Sequence, residues 1–283
     1  MTQLGVVGGG TMGAGIAEVA ARAGDQVLIL ERDQETADAA RARIAASLAR
    51  GVKRGKLSES DADAALARLS TTTTVDDFSD RELVIEALPE IENLKVSFFA
   101  DLDRVTPKET ILATNTSSIP IIRVSKEVAD PSRVVGVHFF NPVPVMPLVE
   151  IISSLATAPE AAQKVTDYVR DNLGKKPIQA GDRGGFVVNA LLIPYLVSAI
   201  RMFESGYASK EDIDTGMVNG CAHPQGPLAL CDTVGLDIVL DVSESLYDEF
   251  RESHYAPPPL LRRMVDAGYL GRKSGRGFYD YAK

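Results

Sequence analysis

Residues 5–17 read GVVGGGTMGAGIA, and this stretch decides the fold because it joins an apolar strand to a helix through a glycine-rich turn. Gly8, Gly10 and Gly13 give the spacing G-x-G-x-x-G. The first glycine permits a tight turn, the second lets the backbone approach a pyrophosphate, and the third lets helix and strand pack closely. The next apolar strand ends in Glu31, where a carboxylate can accept a hydrogen bond from a ribose 2′-hydroxyl. The pattern therefore predicts a dinucleotide site rather than a turn without a ligand.

The composition is that of an ordinary globular protein. Of 283 residues, 45% are hydrophobic and 24% are charged, and the net charge of −9 argues against general nucleic-acid binding. Two cysteines form no disulfide framework, which predicts a cytoplasmic protein. Cys221, His223 and Cys231 lack a C-x-x-C pair, so we expect no metal. The longest apolar run, 186–200, is too short and too polar to span a membrane, and we expect no membrane partner.

Short apolar segments alternate with helical patterns as far as residue 180, which predicts a Rossmann-type α/β domain with a mostly parallel sheet. After Gly184 the strand signals stop and only helical patterns follow, so we place two domains at 1–183 and 184–283. The predicted strands are Leu4–Val7, Val27–Leu30, Leu83–Glu86, Ile111–Thr114, Val134–His138 and Val149–Ile152. The predicted helices are Met12–Ala23, Glu35–Arg50, Glu59–Leu69, Ile91–Val105, Pro159–Leu173, Phe186–Ser205, Lys210–Val218, Leu236–Phe250 and Pro259–Ala267.

A histidine and a glutamate lie in two neighbouring apolar strands. His138 ends its predicted strand, and catalytic groups gather at the carboxyl edge of open α/β sheets. Glu150 lies inside another apolar run, where a carboxylate is costly unless it is paired. We predict that Glu150 holds one imidazole nitrogen of His138, which leaves the other nitrogen to exchange a proton. The alternative is a structural core histidine and an unrelated buried glutamate.

Polar residues follow the strand Ile111–Thr114. The cluster Asn115-Thr116-Ser117-Ser118 offers hydroxyl and amide groups at the same sheet edge, although one serine is also explained as a helix cap. Asn189 is polar within an apolar helix, and a buried amide must find a partner. A substrate oxygen is one candidate partner for Asn189, and a structural role is an equal alternative.

One segment of this acidic chain is basic. From residue 39 to residue 58 there are six basic side chains and no acidic ones: Arg41, Arg43, Arg50, Lys53, Arg54 and Lys56. Such a segment can bind a ligand that carries several phosphates. By composition alone, a solvated helix face is the simpler interpretation.

These motifs together resemble the 3-hydroxyacyl-CoA dehydrogenase family, and in particular its short bacterial members with a single activity. The resemblance covers nearly the whole chain. Its segments are GGGTMGAGIA, LVIEALPE, ATNTSSIPI, VHFFNPVPVMPLVEI, GFVVNALLIPYL, HPQGPLAL, GLDIVL and LGRKSGRGFYDY.

The resemblance implies NAD-dependent interconversion of an L-3-hydroxyacyl-CoA and a 3-ketoacyl-CoA, with a short acyl-CoA such as 3-hydroxybutyryl-CoA as substrate. It also implies that the C-terminal domain closes over the substrate and forms a homodimer. The implied catalytic residues are His138 as base, Glu150 as its orienting partner, and Ser117 and Asn189 on the reacting oxygen. The implied cofactor residues are Gly8, Gly10, Thr11, Met12, Gly13, Glu31, Glu90, Lys95 and Asn115. The implied substrate residues are Ser47, Arg50, Lys53, Arg54, Ser117 and Asn189.

Four positions depart from the pattern of the family. Glu31 stands where many members have Asp, and Arg32, which follows it, can accept a 2′-phosphate, which leaves NADP open beside NAD. Gly184, Ala190 and Gln225 replace a frequent Pro, Arg and Met. Two other functions remain alternatives: a dehydrogenase of a free hydroxy acid or sugar acid, which would not need the basic segment, and a non-catalytic NAD-binding relative.

Overall fold

The computed structural model describes residues 1–282, which divide into two compact units, Met1–Arg183 and the residues from Gly184 onward. The strands of the first unit are β1 Gln3–Val7, β2 Gln26–Leu30, β3 Leu69–Thr72, β4 Leu83–Glu86, β5 Ile111–Thr114, β6 Val134–Phe139, β7 Leu148–Ser153 and β8 Lys176–Gly181. Its helices are α1 Thr11–Ala23, α2 Gln34–Lys53, α3 Glu59–Ala67, α4 Glu92–Val105, α5 Ile121–Val124 and α6 Pro159–Asp167.

The strands of the first unit form one sheet in the order β3-β2-β1-β4-β5-β6-β7-β8. Every neighbouring pair is parallel except β6 and β7, which are antiparallel. The central strands are buried apolar segments, such as β4 with the sequence LVIE, as expected for a parallel sheet covered on both faces. The predicted fold class, a mostly parallel Rossmann-type sheet followed by a helical domain, is confirmed.

The sequence pattern predicts neither of the two edge strands, β3 and β8. The predicted helix Glu59–Leu69 ends earlier, at Ala67, and Leu69 instead begins strand β3 with the polar sequence LSTT. Strand β8, with the sequence KPIQAG, is mostly exposed or half-buried and contains Pro177. Edge strands need no continuous apolar run and tolerate proline, so neither strand shows the pattern of a buried strand.

The predicted helix Pro159–Leu173 is also different in the structure. Helix α6 ends at Asp167 and continues as a π-helical turn over Tyr168–Asn172. The Tyr168 hydroxyl donates a hydrogen bond to Asp25, and the Asn172 amide donates another to the same carboxylate oxygen, at 2.8 and 2.7 Å. Because Asp25 is fully buried, these two bonds satisfy a carboxylate that is shielded from water.

The second unit is helical in the part of the chain that the structure describes. Its helices are α7 Val188–Glu204, α8 Lys210–Cys221, α9 Pro227–Val234, α10 Leu236–Phe250 and α11 Pro259–Asp266. Helix α9 was not predicted, because its eight residues begin inside the loop-like sequence HPQGP. Within residues 1–282, no helix combines the length and the apolar character needed to cross a membrane.

Two buried carboxylates hold the second unit together. Asp214 accepts hydrogen bonds from the backbone N–H groups of Leu228 and Ala229 at the start of α9, at 2.8 and 2.9 Å. Asp232 accepts from the backbone N–H groups of Phe278 and Tyr279, at 2.8 and 2.9 Å. A carboxylate that accepts several such bonds is stable in the interior, so these residues fix α9 and the C-terminal segment.

Candidate active site

The glycine-rich turn has the geometry of a phosphate-binding loop. Gly8 has φ of +84°, and a Cβ atom on Gly13 would lie 1.7 Å from the carbonyl oxygen of Gly8. Only glycine fits these two positions. A Cβ on Gly10 would have no protein atom within 4 Å, so this part of the loop faces open space. The loop therefore leaves room for a ligand directly at the start of α1, where backbone N–H groups favour phosphate.

Glu31 is held in place by the loop itself. The backbone N–H of Gly9 donates a hydrogen bond of 2.5 Å to the Oε1 atom of Glu31. A Cβ on Gly9 would lie 2.3 Å from the Cβ of Ala40, so this glycine also permits the close approach of α2. Gly9 lies between two glycines of the predicted motif but is not itself part of the G-x-G-x-x-G pattern.

A cleft of about 860 Å³ lies beside this loop. Its volume falls within the range of small-molecule and cofactor sites. Its lining includes the predicted cofactor residues Gly8, Gly10, Thr11, Met12 and Glu31. The residues therefore fit a dinucleotide, with the acidic group at one end and the loop beside it.

Arg32 lines the same cleft but is paired with another group. Its Nε atom donates a hydrogen bond of 3.0 Å to Asp33, and the Arg32 side chain is 81% exposed. Asp33 caps α2 by accepting from the Thr36 N–H, and this bond is the main reason why the pKa of Asp33 lies below its usual value. The hydrogen bond and the charge of Arg32 add to the same effect.

A buried ion pair lies where β4 ends. Lys95 Nζ is 2.6 Å from Glu86 Oε1, and both side chains are almost fully buried. Glu86 also accepts hydrogen bonds from the Leu88 N–H at 2.5 Å and from the Thr114 hydroxyl at 2.7 Å. Lys95 is a predicted cofactor residue, whereas Glu86 was read only as the last residue of a strand. The run of apolar residues before Glu86 is the signal that could have identified it as a buried, paired carboxylate.

Glu90 connects this ion pair to the serine cluster. Its Oε2 atom lies 3.4 Å from Lys95 Nζ. Its Oε1 atom accepts from the Ser117 and Ser118 N–H groups, at 2.9 and 3.1 Å, and from the Thr116 hydroxyl at 2.5 Å. Burial would raise the pKa of Glu90, but the Lys95 charge and these hydrogen bonds outweigh burial and lower it. Glu90 is therefore an anion that fixes the turn carrying Ser117.

His138 and Glu150 are directly opposite each other on the antiparallel pair β6 and β7. His138 Nδ1 and Glu150 Oε2 are 2.7 Å apart, and Glu150 is fully buried. The Phe140 ring packs on the imidazole with 4.6 Å between the ring centres. Next to His138, the Phe139 N–H donates a hydrogen bond of 2.9 Å to Asn115 Oδ1, which ties the end of β5 to the end of β6. The imidazole is thus oriented by a carboxylate on one ring nitrogen.

The predicted substrate residues on α2 occupy different places. Ser47 and Arg50 line a second cleft, of about 160 Å³, opposite Asn141 and Pro142. Lys53 lines a separate groove between α2 and α3, and Arg54 is exposed at the C-terminal end of α2. The structure therefore brings Ser47 and Arg50 together and places Lys53 apart from them.

Two other basic residues of the segment donate hydrogen bonds to backbone carbonyl groups. Arg41 donates hydrogen bonds to the carbonyl oxygens of Leu69 and Leu66, at 2.5 and 3.3 Å. Arg43 donates to the carbonyl oxygen of Gly9 at 2.5 Å. Composition alone could not separate these two anchoring arginines from the rest of the segment.

Asn189, the remaining predicted residue, lies in the second unit. It is the second residue of α7 and is half-buried. A role for Asn189 on the reacting oxygen stays a prediction.

Comparisons with known proteins identify the family. Residues 3–183 match the profile of the 3-hydroxyacyl-CoA dehydrogenase NAD binding domain, and residues 185–281 match the profile of the C-terminal domain. The predicted resemblance and the NAD-binding fold are thereby confirmed.

Individual relatives match over the whole chain. The 3-hydroxybutyryl-CoA dehydrogenase of Mycobacterium tuberculosis (strain ATCC 25618 / H37Rv) is 53% identical over 99% of this chain and 98% of the relative. The crystal structure of (S)-3-hydroxybutyryl-CoA dehydrogenase from Ralstonia eutropha has a TM-score of 0.95 and 44% identity, and the match covers 100% of both chains. The 3-hydroxyadipyl-CoA dehydrogenase of Escherichia coli (strain K12) is 42% identical over 98% of this chain and 58% of the relative.

Proposed function

The chain belongs to the 3-hydroxyacyl-CoA dehydrogenase family, and from this premise we propose that it interconverts 3-hydroxybutyryl-CoA and acetoacetyl-CoA. The choice of a short acyl chain is supported by relatives of that name that match over the whole chain. The observation that carries the proposal is the 2.7 Å contact between His138 Nδ1 and Glu150 Oε2. It provides an oriented proton acceptor at the end of β6, at the sheet edge that also carries the glycine loop.

The cofactor of this proposal is NAD. When bound, NAD accepts the hydride that leaves C3 of the substrate. The glycine loop, Thr11, Met12 and Glu31 would hold it, with Glu90, Lys95 and Asn115 further along the sheet edge. We propose a preference for NAD over NADP, because the Glu31 carboxylate accepts a hydrogen bond from a ribose 2′-hydroxyl and repels a 2′-phosphate.

His138 acts as the general base in this proposal. The carboxylate of Glu150 accepts a hydrogen bond from Nδ1–H, which fixes the tautomer and leaves Nε2 to take the proton of the 3-hydroxyl group. In the reverse direction, the imidazolium returns that proton to the carbonyl oxygen. The carboxylate of Glu150 is fully buried beside the imidazole, so in this proposal it also stabilises the imidazolium that forms in between.

Ser117 and Asn189 complete the proposed chemistry as hydrogen-bond donors to the reacting oxygen. Ser117 would donate through its hydroxyl, which donates to Glu90 at 3.4 Å in this structure; Glu90 also accepts the Ser117 N–H at 2.9 Å and so orders the turn before any ligand arrives. Donors that are fixed in advance stabilise developing charge without further reorganisation.

The basic face of α2 supports a substrate that carries CoA. Ser47, Arg50 and Arg54 are spaced three and four residues apart, which places them along one face of the helix. Ser47 and Arg50 line the second cleft, whereas Lys53 lies in a separate groove between α2 and α3 and does not support this part of the proposal. A free hydroxy acid carries no phosphates and would have no use for this face.

The assembly and location are further proposals. We propose a homodimer formed through the second unit, supported by exposed apolar side chains on α7, where Leu191 is 73% exposed and Met202 42% exposed. We also propose a cytoplasmic location, supported by the few cysteines of the chain.

Replacement of His138 by Gln tests the proposed function. Loss of NADH absorbance with acetoacetyl-CoA should be rapid for the natural chain and about 10²–10⁴-fold slower for His138→Gln. The matched control is His254→Gln, because His254 lies on the surface of the second unit beside Glu252. Unchanged turnover in His138→Gln, with NADH bound as before, would show that His138 is not the base.

A further inference from the structure

Arg43 lies at the junction of the two clefts of the first unit. Thr36, Ala39 and Arg43 line the dinucleotide cleft from α2, whereas Arg43, Ser47 and Arg50 line the second cleft. The residue is therefore part of the wall that faces the acidic, ribose-binding end of the dinucleotide cleft. In the sequence, Arg43 is only one of the six cations of the basic segment.

The guanidinium of Arg43 is fixed close to Glu31. Arg43 Nη1 donates to the Gly9 carbonyl oxygen at 2.5 Å, and the Gly9 N–H donates to Glu31 Oε1 at 2.5 Å. One glycine thus separates the arginine from the carboxylate that would accept the ribose 2′-hydroxyl. Because Arg43 and Glu31 line the same cleft and both bind Gly9, Arg43 is a candidate partner for a substituent on that ribose oxygen.

The two arginines that line the cleft differ in their partners. Arg32 is exposed and forms an ion pair with Asp33 at 3.0 Å. Within residues 1–282, Arg43 has no carboxylate as an ion-pair partner, and its hydrogen bond to Gly9 goes to a neutral carbonyl group. Of the two arginines, Arg43 is therefore the one without an ion-pair partner among the described residues.

We propose that Arg43 binds the 2′-phosphate of NADP and gives the cleft a secondary capacity for this cofactor. The inference rests on the proposed function, since it concerns the same dinucleotide site. A guanidinium forms paired, charge-assisted hydrogen bonds to phosphate. Arg43 uses Nη1 to bind the Gly9 carbonyl, so its other N–H groups could bind the phosphate. Glu31 still opposes the same phosphate, so NADPH binds more weakly than NADH.

The experiment compares the dissociation constants of NADPH and NADH, measured by the fluorescence of the reduced nicotinamide, for the natural chain, Arg43→Gln and Arg32→Gln. Glutamine retains a donor for the Gly9 carbonyl but loses the charge. Arg43→Gln should weaken NADPH binding about tenfold and change NADH binding far less, since the variant loses a charge-assisted hydrogen bond to the 2′-phosphate. Arg32→Gln should change the ratio of the two constants less than Arg43→Gln.

Several outcomes would overturn the proposal. Equal weakening of both cofactors in Arg43→Gln would mean that the arginine only supports the Gly9 loop. A raised KM for acetoacetyl-CoA with both cofactor constants unchanged would assign Arg43 to the CoA site. A larger effect of Arg32→Gln, or no NADPH binding by the natural chain, would also refute it. NADH-dependent turnover of acetoacetyl-CoA is measured separately, so a failure of this inference is distinct from a failure of the proposed function.

Discussion

Replacement of Glu86 by Gln should destabilise the first unit strongly. The change keeps the size of the side chain but removes the negative charge that pairs with Lys95 at 2.6 Å. Lys95 is 1% exposed and Glu86 is fully buried, so water cannot solvate the Lys95 ammonium group in place of the lost carboxylate. Breaking a buried pair by removing one partner typically costs about 3–5 kcal/mol.

The lower end of this range applies here, because the Glu90 carboxylate remains 3.4 Å from Lys95 Nζ. A loss of about 3 kcal/mol in a domain of this size lowers Tm by roughly 6–12 °C. Thermal unfolding followed by circular dichroism measures the shift. The control is Glu109→Gln, the same chemical change at an exposed residue, which should stay within about 0.5 kcal/mol of the natural chain.

A double replacement separates charge from packing. Glu86→Gln combined with Lys95→Met removes both charges together, keeps an acceptor for the Leu88 N–H and the Thr114 hydroxyl, and leaves no unpaired ammonium group in the interior. The double variant should therefore unfold at a higher temperature than Glu86→Gln. The reasoning is refuted if Glu86→Gln keeps the Tm of the natural chain, or if the double variant is less stable than the single one.

Two further predictions concern the proposed chemistry. Glu150→Gln should lower kcat while the protein still folds, because a neutral amide can hold the imidazole but cannot stabilise the imidazolium. If Tm instead falls sharply and kcat is unchanged in the folded fraction, the role of Glu150 is purely structural. Arg54→Glu should raise KM for acetoacetyl-CoA and leave KM for NADH unchanged, and the increase should be smaller with added salt. Lys108→Glu, the same charge reversal at another exposed site, should change neither KM. If Arg54→Glu leaves KM for acetoacetyl-CoA unchanged at low salt, the basic segment is only a solvated helix face.

The central strands of the sheet were predictable because they are buried on both faces. β1, β2, β4, β5, β6 and β7 each contain a short apolar run, and a buried parallel strand requires such a run. The edge strands β3 and β8 have one side in solvent and show no such run. Their pairing is decided by neighbouring strands rather than by their own residues, which is why local pattern could not reveal them.

The sequence predicted those parts of the candidate site in which a single buried residue would be unstable without a partner. Glu150 in an apolar strand requires a partner, and this requirement pointed to His138 before the strand directions were known. The Glu86–Lys95 pair was missed because its formation depends on where α4 begins and which of its faces turns to the sheet. The basic segment was ambiguous for a similar reason, since Arg41 and Arg43 bind backbone carbonyls that lie far from them in sequence.

The reversal of strand direction between β6 and β7 is what makes the proposed proton transfer possible. Directly opposite residues of an antiparallel pair have side chains on the same face and in contact, and His138 and Glu150 occupy such a position. Strands β1, β2, β4 and β5 run parallel to β6, so their carboxyl ends carry the glycine loop, Glu31, Glu86 and Asn115 to the edge where His138 lies. A parallel β7 would place residue 150 in a different register and remove the carboxylate from the imidazole. The cofactor site therefore depends on the parallel part of the sheet, and the orientation of the base depends on its one antiparallel step.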